Sequence, residues 1–215
     1  MNYKLYAILI IILFAPFAAL SGDVSVTDDD IQAGQQVTWT SDNVYHLDGF
    51  VFVDDGAELH IEAGTVIKGM PGQGANASAL IIARGGKIFA EGTAEAPIIF
   101  TAEADQLNNN LPLDSKGLWG GLIILGKATT NLEGGEGHIE GIPSTEDRGT
   151  YGGGNNPDDA DNSGVLRYVS VRHGGTDLGD GDEINGVTFG SVGSGTTVEH
   201  VEVWSNNDDG FEWFG

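Results

Sequence analysis

Cysteine is absent from this 215-residue chain, which excludes a disulfide framework and a thiol-linked lipid anchor. Stability has to come from packing, hydrogen-bond ladders or bound metal. Basic side chains are scarce: 9 Lys and Arg stand against 32 Asp and Glu, for a formal charge of −23. A field of that sign repels phosphate backbones and anionic lipid surfaces, so nucleic acid is excluded as a partner. No segment carries helical periodicity over ten or more residues, which argues against βαβ crossovers. The longest apolar run, Leu5 to Leu20, has sixteen residues and contains Pro16, fewer than the roughly 20 that a membrane span needs. Neither a phosphate-binding glycine loop nor a nucleophile elbow is present. The GSVGSG stretch has the glycines but lacks the lysine and the following helix.

That apolar run follows a short basic start, MNYK, and ends in small residues. This is the layout of a Sec-type signal peptide over residues 1–22, with cleavage near Ser21 or Gly22. An uncleaved N-terminal anchor is the competing reading. Removal of the leader takes away Lys4 and leaves eight basic residues. The expected location is secreted or cell-surface, with no stable membrane span after cleavage.

Glycine is plentiful, 34 residues without a Gly-X-Y period, in a chain that is still 40% apolar. Many tight turns follow, not collagen or disorder. Residues 23–43 read as a polar lead-in or cap, with short strands at Val37–Thr40 and Val44–Leu47. From Val44 onward the chain is strands of four or five residues closed by Gly or Asp-Gly. The strands also repeat. Gly85-Gly86-Lys87-Ile88 echoes Gly56-Ala57-Glu58-Leu59 at an offset of 28 or 29, and Leu122–Leu125 mirrors Leu80–Ala83. VLRYVSVRHGG from Val165 and TVEHVEVWSNNDDG from Thr197 match at an offset of 32.

Self-similarity at this period marks a stacked, quasi-one-dimensional architecture. The near-continuous aliphatic runs LIIA, PIIF and LIILG fit strands stacked in parallel. The expected fold is all-β: a right-handed, single-stranded parallel β-helix of five to six rungs over residues 44–215. Insertions at 102–116, 131–163 and 174–185 are expected to project from one edge of the column. Inward positions are assigned to Leu59, Ile61, Ile81, Ile88, Ile99, Ile123, Val169, Val171, Val201 and Val203, each contributing about 1.5–3 kcal/mol by burial.

GGKIFAEGT with PIIFTA, GLWGGLIILGKA, YGGG, VLRYVSVRHGG and NNDDGFEWFG together resemble a family of exported right-handed parallel β-helix proteins of marine and Bacteroidetes-type bacteria. That family lies within the pectin-lyase-like architecture. The resemblance covers the chain from about Val44 to its end, and GLWGG and NNDDGFEWFG are its most specific parts. It implies the fold and no particular reaction, because the architecture hosts lyases, hydrolases, adhesins and passengers alike. Family members look longer, and the chain stops within a rung, so the expectation is a column truncated at Gly215.

Three sets of residues are candidates for chemistry. Asp177, Asp180, Asp182 and Glu183 supply hard oxygen ligands of the kind calcium prefers, and Asp158, Asp159 and Asp161 form a second acidic loop. Neither has EF-hand or nine-residue β-roll spacing, and solvated turns are the competing reading. Arg172 and His173 on the first long copy, with Asp208 and Asp209 on the second, are the ingredients of a lyase or hydrolase site. Their order differs from that of known β-helix hydrolases, and a stacked polar ladder is the competing reading. Trp119, Tyr151, Trp204 and Trp213 are candidates for stacking on sugar rings. Two functions therefore stand side by side: a non-catalytic, adhesin-like surface module for glycans or cells, and a carbohydrate-active enzyme using Arg172, His173, Asp208 and Asp209.

Overall fold

The computed structural model describes residues 22–179 and 182–215; the signal peptide expected over residues 1–22 lies, but for Gly22, outside the described residues. The described chain is β throughout, apart from three single turns of 3-10 helix. No helix in it is long and apolar enough to cross a membrane.

Strands fall on three faces. Face 1 stacks β4 (Phe50–Val53), β7 (Ala79–Ile82), β10 (Leu122–Leu125), β16 (Val187–Gly190) and β18 (Phe211–Phe214). Face 2 stacks β2 (Gln36–Trp39), β5 (Glu58–Ile61), β8 (Lys87–Glu91) and the first halves of β13 (Gly164–Arg172) and β17 (Thr197–Trp204). Face 3 stacks β1 (Gly22–Val26), β3 (Asn43–Leu47), β6 (Val66–Gly69), β9 (Ile98–Ala102) and the second halves of β13 and β17. Every pairing between rungs is parallel. Two small antiparallel hairpins lie in the insertions: β11 (Gly137–His138) with β12 (Thr150–Tyr151), and β14 (Asp177–Gly179) with β15 (Asp182–Glu183).

The offsets read from sequence are the ladder registers. Glu58 pairs with Lys87, Leu122 with Leu80, and Val165 with Thr197. The strands begin before Val44, because β1 and β2, within the lead-in, pair with β3 and β5.

Identical registers stack like side chains into columns. Tyr45, Ile67, Phe100, Val171 and Val203 form one line along the interior of face 3. Strand alternation then turns Ile99 outward, since its neighbours Ile98 and Phe100 are the buried pair. Val201 and Val203 point inward as expected but are only half-buried on the last rung.

Ile81 and Ile123 are buried on the opposite side from the one expected. With Phe52, Ala79 and Leu125 they line the outside of face 1, and Ile139, Ile142 and Tyr151 from the 131–163 insertion pack over them. That insertion lies against the column instead of projecting from it. The cause is visible in LIIA and LIIL: a strand with no polar alternation has two apolar sides, and the outer one needs a cover.

Corners tighten along the column. Between β5 and β6 the turn runs over Glu62 to Thr65 with Gly64 at φ 85; in β13 and β17 a single residue turns the corner, Tyr168 at φ 48 and His200 at φ 53. Both copies therefore place a bulky side chain in the left-handed region, where glycine is the usual occupant. Trp119 explains the GLWGG motif. It is fully buried under β6, its Nε1 donating to the Arg172 carbonyl at 2.7 Å, and a Cβ on Gly69 would meet its ring at 2.5 Å.

Candidate functional site

The residues singled out on the two long copies mostly pair across rungs. The Tyr168 and His200 rings stack at 4.4 Å with 9° between planes. Arg167 bridges three rungs, donating to Glu91 at 2.9 Å and to Glu199 at 3.1 Å, and these carboxylates push its guanidinium pKa up. Arg172 donates from Nε to Ser170 Oγ at 2.8 Å, and Ser170 Oγ in turn donates to Glu202 at 2.7 Å.

His173 is closed off, at 1% exposed. Its Nδ1 donates to the Ser115 carbonyl at 2.6 Å, and Trp204 lies against its ring at 5.2 Å. Nε2 stands 3.9 Å from Asp105, beyond hydrogen-bond reach, and Asp105 is already engaged by Thr101 Oγ1 and Leu107 N. Asp208 and Asp209 sit exposed on the turn before β18, and their charges act on Glu212. The predicted quartet is thus divided: Arg172 is held in a ladder on face 3, His173 is closed under the loop at Ser115, and the two aspartates belong to another group.

Of the calcium candidates, Asp177 and Glu183 face each other across the β14–β15 hairpin; Asp180 lies outside the described residues. Asp159 and Asp161 have structural work instead, accepting from the backbone N–H of Thr129 and of Lys127. The hydrogen bond from Thr129 depresses the Asp159 pKa. Among the described residues no three His, Asp or Glu side chains converge as a metal site. Of the four aromatics proposed for sugar stacking, Trp119 and Tyr151 are core residues, whereas Trp204 and Trp213 are exposed on the last rung. Trp213 also lines a cavity of about 640 Å³, an apolar mouth of the column bounded by Phe189, Val198, Phe211 and Phe214.

Two polar groups were not legible beforehand. The first stands where the outer line of face 1, Phe52, Ile81, Ile123 and Thr188, ends in Glu212. The amide of Asn185, 1% exposed, donates to Glu212 and reaches Glu140 of the insertion at 3.5 Å, and its Oδ1 has no partner among the described residues. Burial first, then the Glu140 charge, pushes Glu212 up to about 7. Burial and these two carboxylates also raise the Tyr151 phenol.

The second centres on Arg148 of the insertion. It makes a two-pronged bond with Asp28 at 3.0 and 2.7 Å, bonds Glu146 from Nε and Nη2, each at 2.8 Å, reaches Asp54 at 3.2 Å, and lies 3.9 Å over the Phe52 ring. Hydrogen bonds from Arg148 hold Glu146 below the ordinary carboxylate range, and the carboxylates hold Arg148 above the ordinary range of arginine. Arg148 forms one wall of a cleft of about 430 Å³ at the corners of three successive rungs. The signal in the sequence was the position of the basic residues, not a motif.

Parallel strands in register on three faces, an unbroken apolar interior and turns tight enough to need left-handed residues define a parallel β-helix. The chain belongs to the pectate-lyase-like beta helix domain family, whose model matches residues 30–215. No curated protein and no solved structure matches it.

Proposed function

We propose that this chain is an exported, cell-surface or extracellular β-helix module that binds glycan and carries out no chemistry on it. The observation supporting this reading is the pairing of Arg167, Tyr168, Ser170 and Arg172 with Glu91, Glu199, His200 and Glu202 across rungs, together with the burial of His173. Groups used to hold one rung to the next are not free to take and return a proton on a substrate.

A carbohydrate-active enzyme is the second reading, and Glu140 with Glu212 favours it. A carboxyl raised to about 7 beside a second carboxyl has the properties of a general acid. One experiment separates the two. Purified protein is passed over a panel of immobilised neutral and acidic polysaccharides, and the eluates are assayed for released product. Retention without product is expected; product release replaces the module with an enzyme, and retention by none of the panel removes the binding reading.

A further inference from the structure

Outside the ladders, charged side chains gather in the corner cleft. Three of the eight basic residues that follow the leader, Arg84, Lys127 and Arg148, line it. Three acids, Asp54, Asp55 and Asp147, line it too, and Asp28, Glu146 and Glu136 stand behind it on the two arginines, so what the cleft offers an anion is donors left unspent and not net positive charge.

The cations differ in what holds them. Arg148 is saturated by Asp28, Glu146 and Asp54. Arg84 spends only Nη1, on Glu136 and on the Gly152 carbonyl at 2.6 Å, leaving Nε and Nη2 without partners among the described residues. Lys127 has a single long contact, 3.4 Å to Asp55, whose side chain is 77% exposed. An exposed pair of that length is worth about 0–1 kcal/mol, so an incoming anion displaces Asp55 at little cost.

Lys127 and Asp55 meet over a glycine corner. Gly85 sits at φ +87, and a Cβ there would come within 1.8 Å of Asp55 Oδ1 and 2.6 Å of Lys127 Nζ. Glycine at this corner lets both side chains fold over it.

We propose that this cleft is the glycan subsite of the module, and that it takes a saccharide bearing a sulfate or carboxylate. The anion seats between Lys127 Nζ and the unengaged edge of Arg84, displacing Asp55, and the ring hydroxyls donate to Asp147. This inference rests on the binding reading above and adds a place and a ligand class to it.

The test is affinity electrophoresis at low ionic strength with dextran sulfate, polygalacturonate and neutral dextran. At least one acidic polymer retards the protein and dextran does not; which of the two does so identifies the anion. Lys127→Gln weakens that binding about tenfold or more, the worth of one charge-assisted contact, whereas Lys116→Gln, on an exposed loop elsewhere, leaves it unchanged. Asp55→Asn removes the competing carboxylate and tightens binding, a gain that misfolding cannot produce. Retardation by acidic polymers that ignores Lys127→Gln overturns the subsite, as does retardation by dextran alone, and in both cases the module still binds glycan. No retardation by any polymer removes the binding reading itself.

Discussion

Replacing Glu212 with glutamine tests the electrostatics of face 1 directly. In the folded protein the carboxyl is raised from 4.5 to about 7, because it ends an apolar column and faces Glu140. A raised pKa means that the folded state holds the proton more tightly than the unfolded chain does. The stability this provides is complete below about 4.5 and is lost as pH rises through about 7. A shift of that size corresponds to roughly 3 kcal/mol at about 1.4 kcal/mol per unit. Glu212 is only half-buried, and solvent screening brings the figure to about 1 kcal/mol. Wild type should therefore lose about 1 kcal/mol between pH 5 and pH 8 that Glu212→Gln does not lose, equivalent to about 2–4 °C in a chain of this size. Circular dichroism melts of both proteins at the two pH values read it. Contributions common to both proteins cancel in the difference. Curves that stay parallel from pH 5 to pH 8 would refute the coupling of Glu140 and Glu212.

Three further outcomes follow from packing and charge. Arg148→Ala leaves Asp28, Asp54 and Glu146 facing one another without their cation and should cost about 2 kcal/mol, with proteolysis of the 131–163 insertion accelerating before the column itself is cut. Gly69→Ala drives a methyl into the Trp119 ring and should cost about 1–3 kcal/mol in a melt; a cost within about 0.5 kcal/mol would mean that the ring moves freely. If the Asp177–Glu183 loop holds calcium, the melting temperature in saturating calcium exceeds that in chelator, by the equivalent of about 2.7 kcal/mol at a hundredfold excess over Kd. Identical melts in calcium and in chelator would dispose of that loop as a metal site.

Much of the fold was legible because a solenoid writes its register into its sequence. The offset between Val165 and Thr197 is a ladder pairing, and so is the echo of Leu80 at Leu122. Which side of a strand faces the core was less legible where both sides are apolar. Ile81 and Ile123 carry no alternation to read, and the residues that cover them, Ile139, Ile142 and Tyr151, look like scattered apolar positions in a polar loop. Ile99 was misplaced for the opposite reason, since in PIIF two adjacent isoleucines compete for one inward position.

The candidate chemistry was harder still. Spacing within the two copies placed Arg172 and His173 side by side on the first copy, but the loop at Asp105 to Ser115 that closes over His173 has no periodic link to them. Glu140, Asn185 and Glu212 come from three segments separated by tens of residues, and nothing local marks them as neighbours. The same is true of Arg148, which meets Asp28 from 120 positions away.

Arg148 changes how the molecule should come apart. In a repeat array each unit touches only the next, so unfolding can start at an end and fray inward one rung at a time. Here a single guanidinium ties the turn after β1 and the corner between β4 and β5 to an insertion that leaves the column after β10. The first rung cannot peel away without releasing the cover of face 1, and that cover cannot lift without exposing the outer apolar lines of the middle rungs. The bond short-circuits the one-dimensional chain of neighbours, and a stack of rungs behaves as one cooperative unit.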